Sequence, residues 1–442
     1  VKPQLLPVHL EDVPSATFVP RLDDLRRLTD EVVDWLPPAH IDADVPVGTS
    51  AVVVPDLSGL AYRMVGSFRR IELPIRLLTS EFGTVSMWDW EIRDHLRRRG
   101  VATIAPMSLQ ECLDVCRTLA TKERLRRSTM LAYQDDLGAG MQADIVKRFY
   151  WWEDESVADL ESAFDVRVER RSVRALAARA AAVPDARVEE AWSRWSASVP
   201  IIGLGDPGWA DALRLYLALG DELDETGDVI AAGINCLNES ATFPTTPCLA
   251  WNLLFEERGL MWGCEADLTP MITKTLLHAS LGVPVMMTNL YRFLMGQAVL
   301  KHERIPFFPS VPEEPENHLL VAHCGFLGVV PQSFATQWTL RPRLLEIVDP
   351  NASAIDARIA EGATTIAKIT SDMGTMTVSP AVLTSYAEYQ NSDCLNGAVL
   401  RVANGHRFVE QLPTHHVILA TGDLTRRIEL MCSVLGMEVL TN

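Results

Sequence analysis

Gly263-Cys264-Glu265-Ala266-Asp267 stands at the centre of residues 233–291, the part of the chain most informative about its architecture. Upstream, Val229 to Ile234 is a continuous apolar run that reads as a buried strand. Cys236-Leu237-Asn238-Glu239 follows it as a loop, and Leu249 to Glu257 reads as a helix ending near Gly259. The apolar run Leu260 to Cys264 then leads into Glu265 and Asp267. Pro270 to Leu281 is helical and Val283 to Thr288 is a strand. Strands alternating with helices predict a mostly parallel sheet covered on both faces. Unpaired buried carboxylates are costly, so Glu239, Glu265 and Asp267 in this apolar setting point to a site that holds a cation. In extended chain Glu265 and Asp267 face the same side. Asp267 also sits where it would cap the following helix, a role that Thr269 serves equally well.

The same alternation extends toward the N-terminus. Leu22 to Leu36 is an amphipathic helix stopped by Pro37-Pro38. Strands are expected at Ala51–Val54, Pro74–Thr79, Val101–Ala105 and Thr129–Tyr133, with helices at Met87–Arg99 and Leu109–Arg126. The loops after Val54, Thr79 and Tyr133 fall at carboxyl ends of strands, where such sheets bind ligands. Gly138-Ala139-Gly140 lacks the third glycine of a dinucleotide fingerprint and reads as a turn. Residues 153–194 are charge-rich and read as a linker region between two α/β units. Leu319 to Ala322 closes the second unit, followed by His323-Cys324-Gly325. Beyond about 340, short strands separated by Gly, Asn and Asp turns predominate: Leu344–Val348, Ala363–Ile369, Met376–Val378, Ala398–Val402, Val409–Leu412 and Val417–Ala420. A closing helix runs from Leu424 to Leu435. The expected organisation is two doubly wound α/β domains, 1–150 and 151–335, followed by a C-terminal antiparallel β-barrel-like domain, 336–442.

Composition narrows the function. The chain has 442 residues, 48% hydrophobic and 22% charged, with 40 Lys+Arg against 58 Asp+Glu and a formal charge of -18. That balance argues against nucleic acid and anionic membrane as partners. No apolar run reaches membrane-spanning length. Residues 1–13 are broken by Pro3, Pro7 and His9 and carry no signal-peptide core, so a cytoplasmic protein is expected. The eight cysteines form no CxxC pair and read as free thiols. GxSxG and HExxH are absent. His323 follows a buried strand and is as a lone residue a core or turn histidine. Of His415-His416, adjacent on a strand, one at most faces a site.

Taken in order, Cys236-Leu237-Asn238-Glu239, Pro247-Cys248, Gly263-Cys264-Glu265-Ala266-Asp267, His323-Cys324-Gly325, Gly362-Ala363-Thr364-Thr365-Ile366-Ala367-Lys368 and His415-His416 with Gly422-Asp423 resemble L-fucose isomerase and the wider L-fucose/L-arabinose isomerase-like group. The resemblance runs over residues 50–440 and is clearest from 228 onward. It implies a divalent ion, Mn²⁺ with Mg²⁺ or Co²⁺ as substitutes, held by Glu239, Asp267 and His416, with His415 the alternative to His416. It implies aldose–ketose isomerisation of an unphosphorylated sugar through an enediol, with Glu239 and Asp267 as acid and base. It also implies a homo-oligomer, a hexamer being favoured, and it makes Trp88, His323 and Trp338 candidates for contact with the sugar. The alternatives are a catalytically silent sugar-binding or assembly protein on the same scaffold, whose ligand binding would not depend on Glu239, or another metal-assisted enolising enzyme such as an epimerase or aldolase.

Overall fold

The computed structural model describes residues 2–79, 87–135, 152–201, 206–236, 242–292, 314–323, 327–342, 353–388 and 395–442. Glu239, Gly138-Ala139-Gly140, Cys324-Gly325 and the strand expected at Leu344–Val348 lie outside these residues. The chain divides into two compact units: Val1–Arg124 with Ala279–Gly282 and Arg426–Glu438, and the remainder.

The first unit is a parallel sheet of β1 (Gln4–His9), β2 (Asp34–Trp35), β3 (Ala39–His40), β4 (Thr49–Val53), β5 (Ile75–Arg76) and β6 (Thr103–Ile104), in the order β2-β1-β4-β5-β6 with β3 on β1. Its doubly wound character follows from alternation along β4. Val52 and Val54 enter one core with Leu6, Val8 and Leu96, while Ala51 and Val53 enter the other with Leu25, Cys112 and Cys116. A strand buried on both faces must be apolar at successive positions. The late helix Thr425–Leu435 serves this unit: Val434 packs with Cys112 and Cys116, and Arg427 grips buried Asp114 through Nε at 2.6 Å and Nη2 at 2.9 Å.

The second unit joins an α/β sheet to a barrel. Its parallel sheet contains β7 (Thr129–Tyr133), β8 (Arg167–Arg171), β9 (Val229–Ile234) and β10 (Met261–Cys264), ordered β10-β9-β7-β8. β8 falls in the stretch read as a linker. It is an edge strand whose arginines are held by carboxylates, Arg171 by Glu169 and Glu222, so it shows no apolar alternation. The barrel is built from β11 (Val285–Arg292), β12 (His318–Ala322), β15 (Gly362–Ile369), β16 (Thr375–Ala387), β17 (Gly397–Val402) and β18 (His416–Thr421). These close antiparallel in the order β15-β18-β11-β12-β17-β16 and back to β15. β19 (Glu438–Thr441) adds to β16, and β13 (Gln337–Pro342) pairs with β14 (Ser353–Arg358) as a separate ribbon. The strands β11 and β12, read from sequence as closing the α/β sheet, are therefore barrel staves. A buried apolar run carries no mark of the sheet it will join. Val409–Leu412, expected as a strand, instead meets the helix Gly405–Glu410, which starts because Asn404 Oδ1 accepts the Arg407 N–H at 2.9 Å. No helix among the described residues is long and apolar enough to cross a membrane.

Candidate functional site

The carboxyl end of β10 feeds directly into the helix Leu268–Leu281, two residues earlier than the sequence suggests. Between them Glu265 and Ala266 are not extended. Both lie in the left-handed region, at φ 57° and 54°. Non-glycine residues pay for that conformation with strain of about 1–2 kcal/mol each. The surroundings impose it. Gly233 and Gly263, paired on β9 and β10, leave room for the turn and the helix: a Cβ on Gly233 would stand 2.7 Å from Ala266 Cα, and one on Gly263 would stand 2.2 Å from Met271 Cγ. The buried Trp152 indole donates to Ala266 O at 2.8 Å and closes the turn from outside.

This turn gives Asp267 two tasks at once. Its Oδ1 accepts from Thr269 N and Thr269 Oγ1, each at 3.2 Å, so Asp267 is the helix cap and Thr269 the donor. Its Oδ2 lies 2.8 Å from Nδ1 of His416, the first residue of β18, and both side chains are fully buried. One hydrogen-bonded pair thus joins the α/β sheet to the barrel. His416 Nε2 looks toward Glu265 Oε2 at 4.0 Å. That Glu265 oxygen has no hydrogen-bond partner among the described residues. His415 is exposed, its ring centroid 4.3 Å from that of His416. The imidazole directed to Asp267 is that of His416.

Two lysines stand nearby: Lys274, which the sequence reading passed over, and Lys368, which ends one of the stretches that carry the resemblance. Lys368, on β15, donates from Nζ to His416 O and to Thr414 Oγ1, both at 2.6 Å, and so fixes the start of β18. Lys274, on the helix that Asp267 caps, is fully buried with Nζ 4.1 Å from the Trp262 ring centroid. No motif marks Lys274, and no role was read for Lys368 in its stretch; complete burial sets both apart.

Burial dominates the electrostatics. It pushes the Glu265 carboxyl up to about 8, helped by the neighbouring Asp267 charge. Burial also raises Asp267, against the pull of the Lys368 ammonium, and lowers Lys368. Burial, then the Lys368 charge, hold His416 well below its ordinary range, so its imidazole is neutral. His323 is neutral for the same primary reason, and its ring stacks on that of His416 at 5.5 Å and 20°.

Of the remaining candidates, Trp338 is buried in β13 with Nε1 donating to Val330 O at 3.2 Å, the setting of a packed core residue. Trp88 belongs to the first unit, where it is exposed on the helix Met87–Arg98. The described cysteines 112, 116, 236, 248, 264 and 432 form no disulfide with one another, and the Cys236 and Cys264 sulfurs stand 3.4 Å apart.

Among the described residues no three His, Cys, Asp or Glu side chains form a ready ligand set. Asp267 and His416 nevertheless fit two positions of one. Ligands about 2.1 Å from an ion and at right angles lie about 3 Å apart, close to the 2.8 Å seen here. The unmatched oxygen of Glu265 lies beside them, and a bound cation would favour its ionised form over the neutral one that burial imposes. No protein-family model matches the chain, and no curated protein matches it.

Proposed function

We propose that this chain is a metal-dependent aldose–ketose isomerase acting on an unphosphorylated sugar or sugar derivative, of the kind its resemblance to L-fucose isomerase implies. The observation that carries the reading is the buried contact between Asp267 and His416, which brings together two residues 149 apart in sequence at the carboxyl end of β10. A divalent ion held by Asp267 and His416, with Glu239 completing the set by the resemblance, supplies Lewis-acid polarisation of carbonyl and hydroxyl oxygens. Hard O and N donors suit Mn²⁺, Mg²⁺ or Co²⁺.

The chain's own groups have the remaining work. Isomerisation moves a proton from C2 to C1 and a hydroxyl proton from O2 to O1. Carboxylates close to both carbons can take and return them, the roles assigned to Glu239 and Asp267. The cap bonds from Thr269 and the His416 contact keep Asp267 from rotating away. Lys368 holds the His416 backbone in place. Assembly as a homo-oligomer, a hexamer by the same resemblance, belongs to the proposal.

The test is conversion of a panel of free aldoses by protein stripped with chelator and reloaded with Mn²⁺, in deuterated water. Ketose product with deuterium at C1, and recovered aldose with deuterium at C2, are expected. Sugar binding without exchange, or exchange at other carbons alone, refutes the isomerase reading.

A further inference from the structure

Gln134, the residue immediately beyond β7, is 8% exposed, and neither its Oε1 nor its Nε2 has a hydrogen-bond partner among the described residues. A buried amide unmatched at both ends is costly and calls for an explanation. Its position supplies one. β7 and β9 are the neighbours from which the chain winds outward in both directions, to β8 on one side and β10 on the other. Parallel sheets bind ligands at the carboxyl ends of such strands.

The side of the sheet on which the amide lies follows from register. Ala132 pairs with Gly233, so their side-chain directions coincide. The Gly233 Cβ direction runs into Ala266 and Met271, the turn and helix that carry Asp267. Gln134 is two residues beyond Ala132 and takes the same side. Tyr133 takes the opposite one, its hydroxyl 2.6 Å from Glu222. Two strand spacings, about 9.5 Å, separate the lines of β7 and β10. That is comparable with the length of an extended sugar chain.

We propose that Gln134 is a substrate-recognition residue whose amide receives a vicinal diol at the end of the sugar remote from the carbons that react near Asp267. The amide presents an acceptor beside a donor, and adjacent hydroxyls, each able to give and take a proton, complement both. A site built to bond hydroxyls discriminates strongly against ligands that lack them. This inference rests on the isomerase reading for its choice of ligand, but its test does not require turnover.

The test is calorimetric binding of open-chain alditols to the full chain loaded with Mn²⁺. The panel holds pentitols, hexitols and deoxyhexitols, each beside an analogue lacking the diol at one end. Gln134→Leu and, as a second variant of similar shape, Gln134→Met are compared with the parent. The expected result is that a parent alditol binds, that both substitutions weaken it tenfold or more, and that the truncated analogue binds weakly and equally to all three proteins. Both variants are expected to melt no lower than the parent, since the unmatched amide is gone. Equal alditol affinity in parent and variants overturns the proposal, as does equal weakening of the truncated analogue, or binding of no alditol at all. Should the aldose panel show no deuterium exchange while alditol binding still depends on Gln134, the isomerase reading falls and the recognition role stands.

Discussion

Lys274→Met is expected to stabilise the protein at neutral pH and to do so far less at alkaline pH. Lys274 is fully buried, its ammonium rests on the Trp262 ring at 4.1 Å, and Nζ has no hydrogen-bond partner among the described residues. Burial lowers its pKa from 10.5 to about 7. The unfolded chain keeps this proton up to 10.5, whereas the folded chain releases it near 7. Between those values the unfolded state binds more protons, so stability rises with pH. Integrating the difference, the lysine costs the folded state about 4 kcal/mol at pH 7 and about 1 kcal/mol at pH 10. The attraction of the indole for the cation, about 1–2 kcal/mol, is lost with the substitution and reduces the gain near neutrality. Methionine fills a similar volume and its sulfur packs well on an aromatic ring. Urea unfolding of parent and variant at pH 7 and pH 10, followed by tryptophan fluorescence, gives the stability gap at each pH. Other titrations are common to both proteins apart from those of His278 and His323, which burial lowers with help from the Lys274 charge. With the attraction of the indole deducted, the gap should shrink by about 2 kcal/mol on going to pH 10. A variant less stable than the parent at pH 7, or a gap that does not change with pH, would refute the reasoning.

Three further outcomes are expected. Asp267→Asn keeps a good helix cap and should unfold within about 1 kcal/mol of the parent, while aldose conversion falls by about 10²-fold or more; Asp267→Ala should lose about 1 kcal/mol of further stability in thermal melts. Gly233→Ala drives a methyl against Ala266 Cα and Gly263 O. It should cost about 1–3 kcal/mol in denaturant titrations and weaken Mn²⁺ binding by displacing the turn. Lys368→Met removes the ammonium from His416 O and Thr414 Oγ1, and Mn²⁺ affinity measured by calorimetry should fall about 10- to 100-fold.

Much of the candidate site is legible in the sequence because its side chains are costly where they stand. Glu265 and Asp267 interrupt apolar sequence, and the structure buries both. Asp267 and His416, selected by resemblance, meet at hydrogen-bond distance. The turn between β10 and its helix is not legible. Extended spacing would set Glu265 and Asp267 side by side, but the contacts of Gly233, Gly263 and Trp152 wind the chain left-handed instead. Gln134 and Lys274 carry no motif, and Lys368 ends a matched stretch with no role read for it. A polar residue in sequence becomes informative only when its three-dimensional neighbours leave it buried or unmatched.

The alternation of strands and helices, the change to short strands after residue 340 and the location of the acidic motif are all written locally in the chain. Those are local patterns, set by periodicity, turn residues and the cost of burying charge. Folding adds that β11 and β12 close the barrel with the late strands, that Asp267 both caps a helix and meets His416, and that Gln134 takes the side occupied by the Asp267 turn. Strand pairing and hydrogen-bond satisfaction depend on residues far apart in the chain, and they exist only once the sheet and barrel have come together.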